Sequence, residues 1–538
     1  MSKIAWLADK LCARRMAQET AEYLDSLAQQ PILASRRTVH ELLRALRSEP
    51  GPKVTLGETT WGEPVAIPLM ELIKACGLTT GGMGAGKTMF ALLPIEAIIR
   101  RLPDLRGAAF GVLDAKGELF ERVLYLLARR IDELEGDDQQ RLMRRIVIID
   151  FSNRRSISPY NILARWKYAE PDYFVTSRLE TLRELLPAGE KLSLRGASVL
   201  KYVLTLLSEF DLPLTHLDRV LSSAEFRQRL LAQSANEDVK QYFGRHFALE
   251  GKQTIAALRA RMDSLFASEG VRLALSGSAA PDFLRYQNEG KIVLVNCAGP
   301  TITRGVRLLL QGLVLSDIRQ SIFARPNNPP VTYLWCADEA QNFFLTRQLQ
   351  ENMADILTMA RSFGSFFYFL CQNLTTAIPD ARIFETLHTN IRWSLTLRST
   401  PHDAAFLRFA LPVTGRMRRL EINPFREPTV YSPEEERTLA INGIANLPDR
   451  EGYLWLKTRS REAIRLRTPR IDLPEGEEFR RVVEAVRNNP SLGGRVSRTE
   501  YECLIQERDR EWLESRKEPN LPDRLEKKYN EERAVWQT

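Results

Sequence analysis

Gly81-Gly82-Met83-Gly84-Ala85-Gly86-Lys87-Thr88 fills every fixed position of the phosphate-loop pattern G-x-x-x-x-G-K-[ST]. Each residue type has a chemical reason. Glycines let the backbone turn its N–H groups inward around the α- and β-phosphates, where a Cβ would clash. Lys87 supplies a compact charge for the β/γ oxygens, and Thr88 offers its hydroxyl to Mg²⁺. A glycine-rich turn can also precede Lys-Thr by chance, so the flanks matter. Residues 75–80 read as a short strand and 89–100 as a helix with an apolar face. Strand, glycine loop and helix together aim a positive helix N-terminus at phosphate. All eight residues from Gly81 to Thr88 are therefore assigned to nucleotide binding.

A chain of 538 residues exceeds one compact core, and two or three domains are expected. Hydrophobic residues make up 44% and charged residues 27%, the balance of a soluble globular protein. The net charge of +8 suits an acidic partner such as nucleic acid or a membrane surface, but spread over this length it serves solubility equally well. Six cysteines are scattered without a C-x-x-C pair, which indicates a reducing compartment and no zinc site. The five histidines form no ligand spacing. No run approaches the roughly 18 apolar residues that span a bilayer, and residues 1–30 carry too much charge for a signal peptide or anchor. The expectation is a cytosolic protein, or one held at a membrane by something else.

Residues 1–50 read as helical and end at the breaker Glu49-Pro50-Gly51-Pro52. Segments 53–57 and 63–69 suggest a hairpin leading to the loop. Apolar runs at 108–113, 146–149, 292–297, 331–337, 366–371 and 391–397 read as buried parallel strands separated by helices, the pattern of a doubly wound α/β sheet. Between about 163 and 282 no strand is evident, only helical segments such as 181–186, 197–207, 226–232 and 254–266. The expected fold is α/β: a RecA-like P-loop nucleotide-binding domain (53–163 and 286–470) with an inserted all-α domain (164–285). A helical segment (1–52) precedes it. A charged helical C-terminal extension (471–538) follows, read as a solvated appendage.

The run Val331-Thr332-Tyr333-Leu334-Trp335-Cys336-Ala337 ends in Asp338-Glu339. At such a strand end the first carboxylate holds the Mg²⁺ shell and the second polarises an attacking water. The other reading makes them caps of the next helix. The strand at 366–371 delivers Gln372, whose amide suits a γ-phosphate sensor that both donates and accepts. Arg361 precedes Gln372 and has two readings. It either interacts with its own helix dipole or acts as an arginine finger in a neighbouring subunit's site. Arg382, Arg392 and Arg398 compete for the finger role.

These residues, together with Asp114-Ala115-Lys116-Gly117-Glu118 and Ser158-Pro159-Tyr160-Asn161, resemble the coupling-protein ATPases of conjugative type IV secretion, the TraG/TraD-like branch of the HerA–FtsK translocase superfamily. The resemblance covers about residues 53–460. It implies ATP and Mg²⁺ as cofactors and a homo-hexameric ring with nucleotide sites between subunits. DNA would pass through a basic channel, with secretion-channel or relaxosome proteins as partners. The expected location is cytoplasmic, peripheral at the inner membrane through a partner. Such proteins usually begin with two transmembrane helices, and this sequence offers no such segment. Two other readings stay open: a cytosolic HerA-like motor in DNA processing or defence, and a protein-cargo recruitment factor.

Overall fold

The computed structural model describes residues 10, 13–19, 36–164, 171–186, 192–372, 374, 378, 380–411, 431–489 and 491–514. Most of the N-terminal segment and the end of the tail, 515–538, lie outside the described residues. The strands are β1 (Lys53–Thr59), β2 (Pro64–Pro68), β3 (Cys76–Thr80), β4 (Ala108–Asp114), β5 (Ile146–Asp150), β6 (Ser156–Ile157), β7 (Ile292–Asn296), β8 (Thr332–Ala337), β9 (Ser365–Cys371), β10 (Ile391–Leu397), β11 (Glu451–Leu456), β12 (Ile464–Arg467) and β13 (Val496–Ser497). The helices used below are α1 (Arg36–Ser48), α2 (Lys87–Ile99), α3 (Glu118–Asp132), α4 (Leu194–Glu209), α5 (Arg304–Phe323), α6 (Arg347–Met359), α7 (Glu477–Arg487) and α8 (Arg498–Glu514).

One sheet of 11 strands runs β2-β1-β12-β11-β10-β3-β9-β8-β4-β7-β5. From β10 to β5 every neighbouring pair is parallel, and from β10 to β2 every pair is antiparallel. The parallel strands are largely buried and mostly apolar because both faces are covered, with Thr79, Thr80, Ser394 and Thr396 among the buried exceptions. Along β8, Tyr333, Trp335 and Ala337 enter one core while Leu334 and Cys336 enter the other. Along β9, Phe367, Phe369 and Cys371 alternate in the same way with Phe366, Tyr368 and Leu370. Strands β11 and β12 were not foreseen.

Helix α2 differs from the single apolar face expected of it. Phe90, Ala91, Leu92, Leu93, Ile95 and Ile98 are all buried, and Pro94 lies inside the helix. It packs on α3 and β1 as well as on the sheet, which leaves only Thr88, Met89 and Glu96 partly open to water.

Between β6 and β7 the described residues form helices and no strand. Their core is continuous with one face of the sheet: Val199, Leu204 and Leu207 of α4 belong to the same cluster as Val147 and Ile149. The Ser-Pro-Tyr-Asn turn joins the two. Tyr160 donates its hydroxyl to Asp317 on α5, which also pairs with the buried Arg178, and the Asn161 amide donates to the Asp211 carbonyl at 2.9 Å.

The solvated-appendage reading of the tail is corrected by its packing as far as residue 514. Gly493 donates to the Ile146 carbonyl at 3.1 Å and accepts from Ile148 N–H at 3.2 Å, which covers the open edge of β5. β13 pairs with β6. Phe479 of α7 stacks on Tyr125 of α3 at 5.4 Å. On α8, Arg508 donates to the Ser276 carbonyl at 2.6 Å and Trp512 packs edge-on against Phe210 at 5.4 Å. The surface charges of this segment hide a narrow buried stripe that includes Tyr501 and Trp512.

Trp512→Ala tests this. A buried tryptophan truncated to alanine costs about 3–5 kcal/mol, whereas a solvated helix position changes stability by no more than about 0.5 kcal/mol. Urea unfolding followed by circular dichroism distinguishes the two, and a change within the smaller range removes the docking.

Candidate active site

The carboxyl ends of parallel strands lie side by side, about 4.8 Å apart. The order β3-β9-β8-β4 therefore sets the phosphate loop, Gln372, the Asp338-Glu339 pair and Asp114 in a row along one edge. The loop is anchored by its backbone. Gly82 N–H donates to the Arg398 carbonyl at 2.7 Å, Gly81 N–H to the Cys371 carbonyl at 3.3 Å, and Arg450 N–H to the Ala85 carbonyl at 3.1 Å. Gly86, at φ 107°, takes the left-handed turn that starts α2, which a side chain would strain. Lys87 is buried, and its Nζ donates to the carbonyls of Gly81 at 2.7 Å and Gly82 at 2.9 Å. Burial, and then the nearby Lys116, lower its pKa, with Glu339 and Asp338 opposing. Thr88 follows at the start of α2, and Met83 stands exposed at the loop tip.

Three carboxylates meet opposite the loop, each in a different setting. Asp114 is fully buried and accepts from Lys116 N–H at 2.7 Å, Gly117 N–H at 2.9 Å and Phe120 N–H at 2.8 Å, capping α3. Gly117 makes that turn at φ 88°. Asp338 is buried and makes no ion pair among the described residues. Burial, with Asp114 and Glu339 close by, pushes its carboxyl up to about 7. Glu339 has a left-handed backbone, φ 51°, which for a non-glycine residue is strained. It stands where a cap of the next short helix would, yet its side chain makes no capping bond. Instead its carboxylate pairs with Lys116 Nζ, accepts from Gln341 Nε2, and accepts from Gln372 Nε2 at 2.6 Å.

This donor set fits Mg²⁺, a hard cation that prefers carboxylate, hydroxyl and phosphate oxygens. Asp338, desolvated and outside any ion pair among the described residues, is the residue that would hold it, with the Thr88 hydroxyl offered from α2. Bound there, the ion would neutralise charge on the β- and γ-phosphates.

Lys87, Asp338, Glu339 and Gln372 thus come together. Arg361 does not. It is exposed in a short 3-10 turn (Ala360–Phe363) after α6, before the start of β9. Gln372 follows the far end of that strand, about 20 Å away for seven residues at about 3.3 Å each. Arg392 is likewise at the amino edge, on β10. Arg398 sits beside the loop of its own chain and pairs with Asp449 at 2.8 Å, while Arg382 pairs with Asp380 at 3.3 Å. Lys116 and Arg450 were not foreseen as site residues. The signal for Lys116 was present, since a strand ending in Asp followed by Gly and a helix copies the layout of the phosphate loop. Arg450 has none, because a left-handed residue in a loop leaves no local signature.

No family model matches the sequence, and no curated protein matches it. Several solved structures are similar. The plasmid coupling protein TrwB in complex with a non-hydrolysable ATP analogue shares 17% identity at a TM-score of 0.49, covering 82% of this chain and 94% of that one. TrwB in complex with ADP and Mg²⁺ shares 16% at 0.48, covering 84% and 96%. VirB4 of Thermoanaerobacter pseudethanolicus shares 13% at 0.47, covering 79% and 98%.

Lys87→Ala removes the cation that the loop offers to the terminal phosphates. ATP affinity, read by titration with a fluorescent analogue, is expected to fall by about 1.5–3 kcal/mol, the worth of a hydrogen bond to a charged group. Unchanged affinity ends the phosphate-loop assignment.

Proposed function

We propose that this chain is an ATP-hydrolysing ring motor of the conjugative coupling-protein kind, which moves DNA, with any attached protein, and docks on secretion-channel or relaxosome proteins. Loop amides of Gly81–Gly86 bind the phosphates, and Lys87 moves from the Gly81 and Gly82 carbonyls onto the β/γ oxygens. Asp338 holds the metal side of the site. Glu339 accepts the proton of the attacking water, and Gln372 reports the γ-phosphate. The observation that carries this reading is the 2.6 Å hydrogen bond from Gln372 to Glu339, beside Asp338 and across from Lys87. A scaffold that only binds nucleotide has no need of a strained acid held ready between a strand-end amide and a lysine. The basic net charge of +8 favours an acidic cargo.

Glu339→Gln keeps the shape but cannot accept a proton. It is expected to bind ATP and Mg²⁺ normally while DNA-stimulated phosphate release falls by about 10²–10⁴-fold. Normal turnover by this variant overturns the motor reading.

Arg361 is too far from the phosphates of its own chain to touch them, so a finger role requires a second copy. Arg361→Ala is expected to bind ATP and lose roughly 10³-fold in hydrolysis. Mixing it with Lys87→Ala subunits is expected to restore part of the rate, because an intact arginine then meets an intact loop. Full activity of Arg361→Ala alone refutes the finger.

A further inference from the structure

Beside the nucleotide site, and outside the phosphate loop, a cleft of about 720 Å³ opens at the carboxyl ends of β5 and β7. That volume is in the range that takes a drug-sized ligand. Its lining is strongly basic: Lys116, Arg154, Arg155, Arg307, Arg480 and Arg487, against Glu121 and Glu484. These charges are unequally neutralised. Arg487 is committed to the buried Asp150 at 2.5 Å. Arg154 and Arg155 meet Glu269 and Glu484 only at 3.6 and 3.2 Å, through side chains largely open to water. Arg480 donates to the Gly476 carbonyl at 3.2 Å and has no carboxylate partner among the described residues. Arg307 has none among them either, and its Nε is buried without a hydrogen-bond acceptor there. Phe479, half-buried at the rim, adds an aromatic ring.

Lys116 alone among the lining residues also touches the catalytic acid. Its ammonium pairs with Glu339, and 43% of its side chain is exposed, so it has freedom to turn toward the cleft. While that pair stands, Glu339 Oε1 accepts from both Lys116 and Gln372, and Oε2 accepts from Gln341. The carboxylate is turned to protein donors rather than to a water on the γ-phosphate.

We propose that this cleft binds the phosphodiester backbone of a single nucleic-acid strand, and that an incoming phosphate draws Lys116 away from Glu339 and so releases the base for hydrolysis. An excess of arginines over carboxylates, with Arg307 and Arg480 outside any ion pair among the described residues and an aromatic alongside, forms the combination that tracks a single strand, with charge for the phosphates and a ring for a base. Lys116 is a positioning residue in this scheme: it acts through Glu339 and does not touch the reacting atoms. The coupling half rests on the reading of Glu339 as the base, whereas strand binding by the cleft stands apart from it.

The full-length chain is to be tested with an oligothymidylate of roughly 16 nucleotides. Lys116→Ala is expected to raise turnover without DNA by about fivefold, equal to about 1 kcal/mol, the upper end for a partly exposed pair. Stimulation by the oligonucleotide is expected to vanish. Lys116→Arg, which keeps the pair, is expected to retain both low basal turnover and stimulation. Arg155→Gln with Arg307→Gln is expected to weaken binding measured by anisotropy. The slope of log affinity against log salt is expected to become shallower by about 1.4, two phosphate contacts at about 0.7 each. Unaltered affinity and slope in that double variant overturn the cleft. A Lys116→Ala protein that keeps wild-type stimulation, or that is inactive, overturns the switch and leaves the motor standing. Stimulation by polyglutamate but not by the oligonucleotide overturns the proposal in favour of an acidic protein partner. If Glu339→Gln hydrolyses ATP normally, the base assignment and the switch fall together, while the anisotropy measurement still judges the cleft.

Discussion

Parallel strands finish at the same edge, and neighbours are held about 4.8 Å apart by their hydrogen bonds. Everything chemical in this molecule follows from that spacing and from the order of strands. With β9 between β3 and β8, the phosphate loop and the Asp338-Glu339 pair stand roughly 10 Å apart, and Gln372 falls in the gap. Residues separated by hundreds of positions in the chain thereby share one row. The spacing is stiff because both faces of the sheet are packed. Trp335 and Phe367 fill one side while Tyr368 and Leu370 fill the other, so a strand cannot shift without opening both cores.

Three acids in one low-dielectric corner are costly unless their environments differ. Asp114 is stabilised by three backbone N–H groups and its role is structural. Asp338 makes no ion pair among the described residues, and burial, with Asp114 and Glu339 close by, raises its pKa to about 7 against the opposing Lys116. Glu339 is paired with Lys116 and held by two amides. Environment thus separates the three: one acid caps a turn, one is buried outside any ion pair among the described residues, and one is held by a lysine and two amides. The left-handed backbone of Glu339 belongs to the same arrangement, since an ordinary helical start would point the side chain along the next turn instead of across the edge.

Much of this was legible in the sequence, for a physical reason. Strands covered on both faces are predominantly apolar, and runs such as 108–113 and 366–371 stand out against their surroundings. The helical insertion was legible by the lack of such runs. Strand β11 did carry an apolar run, Tyr453-Leu454-Trp455-Leu456, and was legible in principle. Strand β12 was not, because a strand with one open face alternates: Ile464-Arg465-Leu466-Arg467 buries its aliphatic residues and leaves Arg467 to water. The docking of α8 was hidden likewise. Its charges dominate the composition, while Tyr501, Arg508 and Trp512, a turn or more apart, form a stripe too narrow to colour it. The site acids were legible because a strand ending in Asp-Glu is itself a signature. The pairing of Glu339 with Lys116 was not, since it arises from two loops that only the sheet brings together.

The two edges of the sheet face different tasks. The carboxyl edge holds the loop, the acids and Gln372, while the amino edge carries Arg361, exposed beside Met359 at the end of α6. Within one chain a strand length of about 20 Å separates them, too far for any side chain to bridge. For Arg361 to meet a phosphate, the amino edge of one copy has to face the carboxyl edge of the next. Such a contact joins two different surfaces, so it repeats from copy to copy and either closes into a ring or runs on as a filament. A ring of such contacts would set Arg361 of each copy toward the loop of the next, whereas within one chain the sheet holds the two apart.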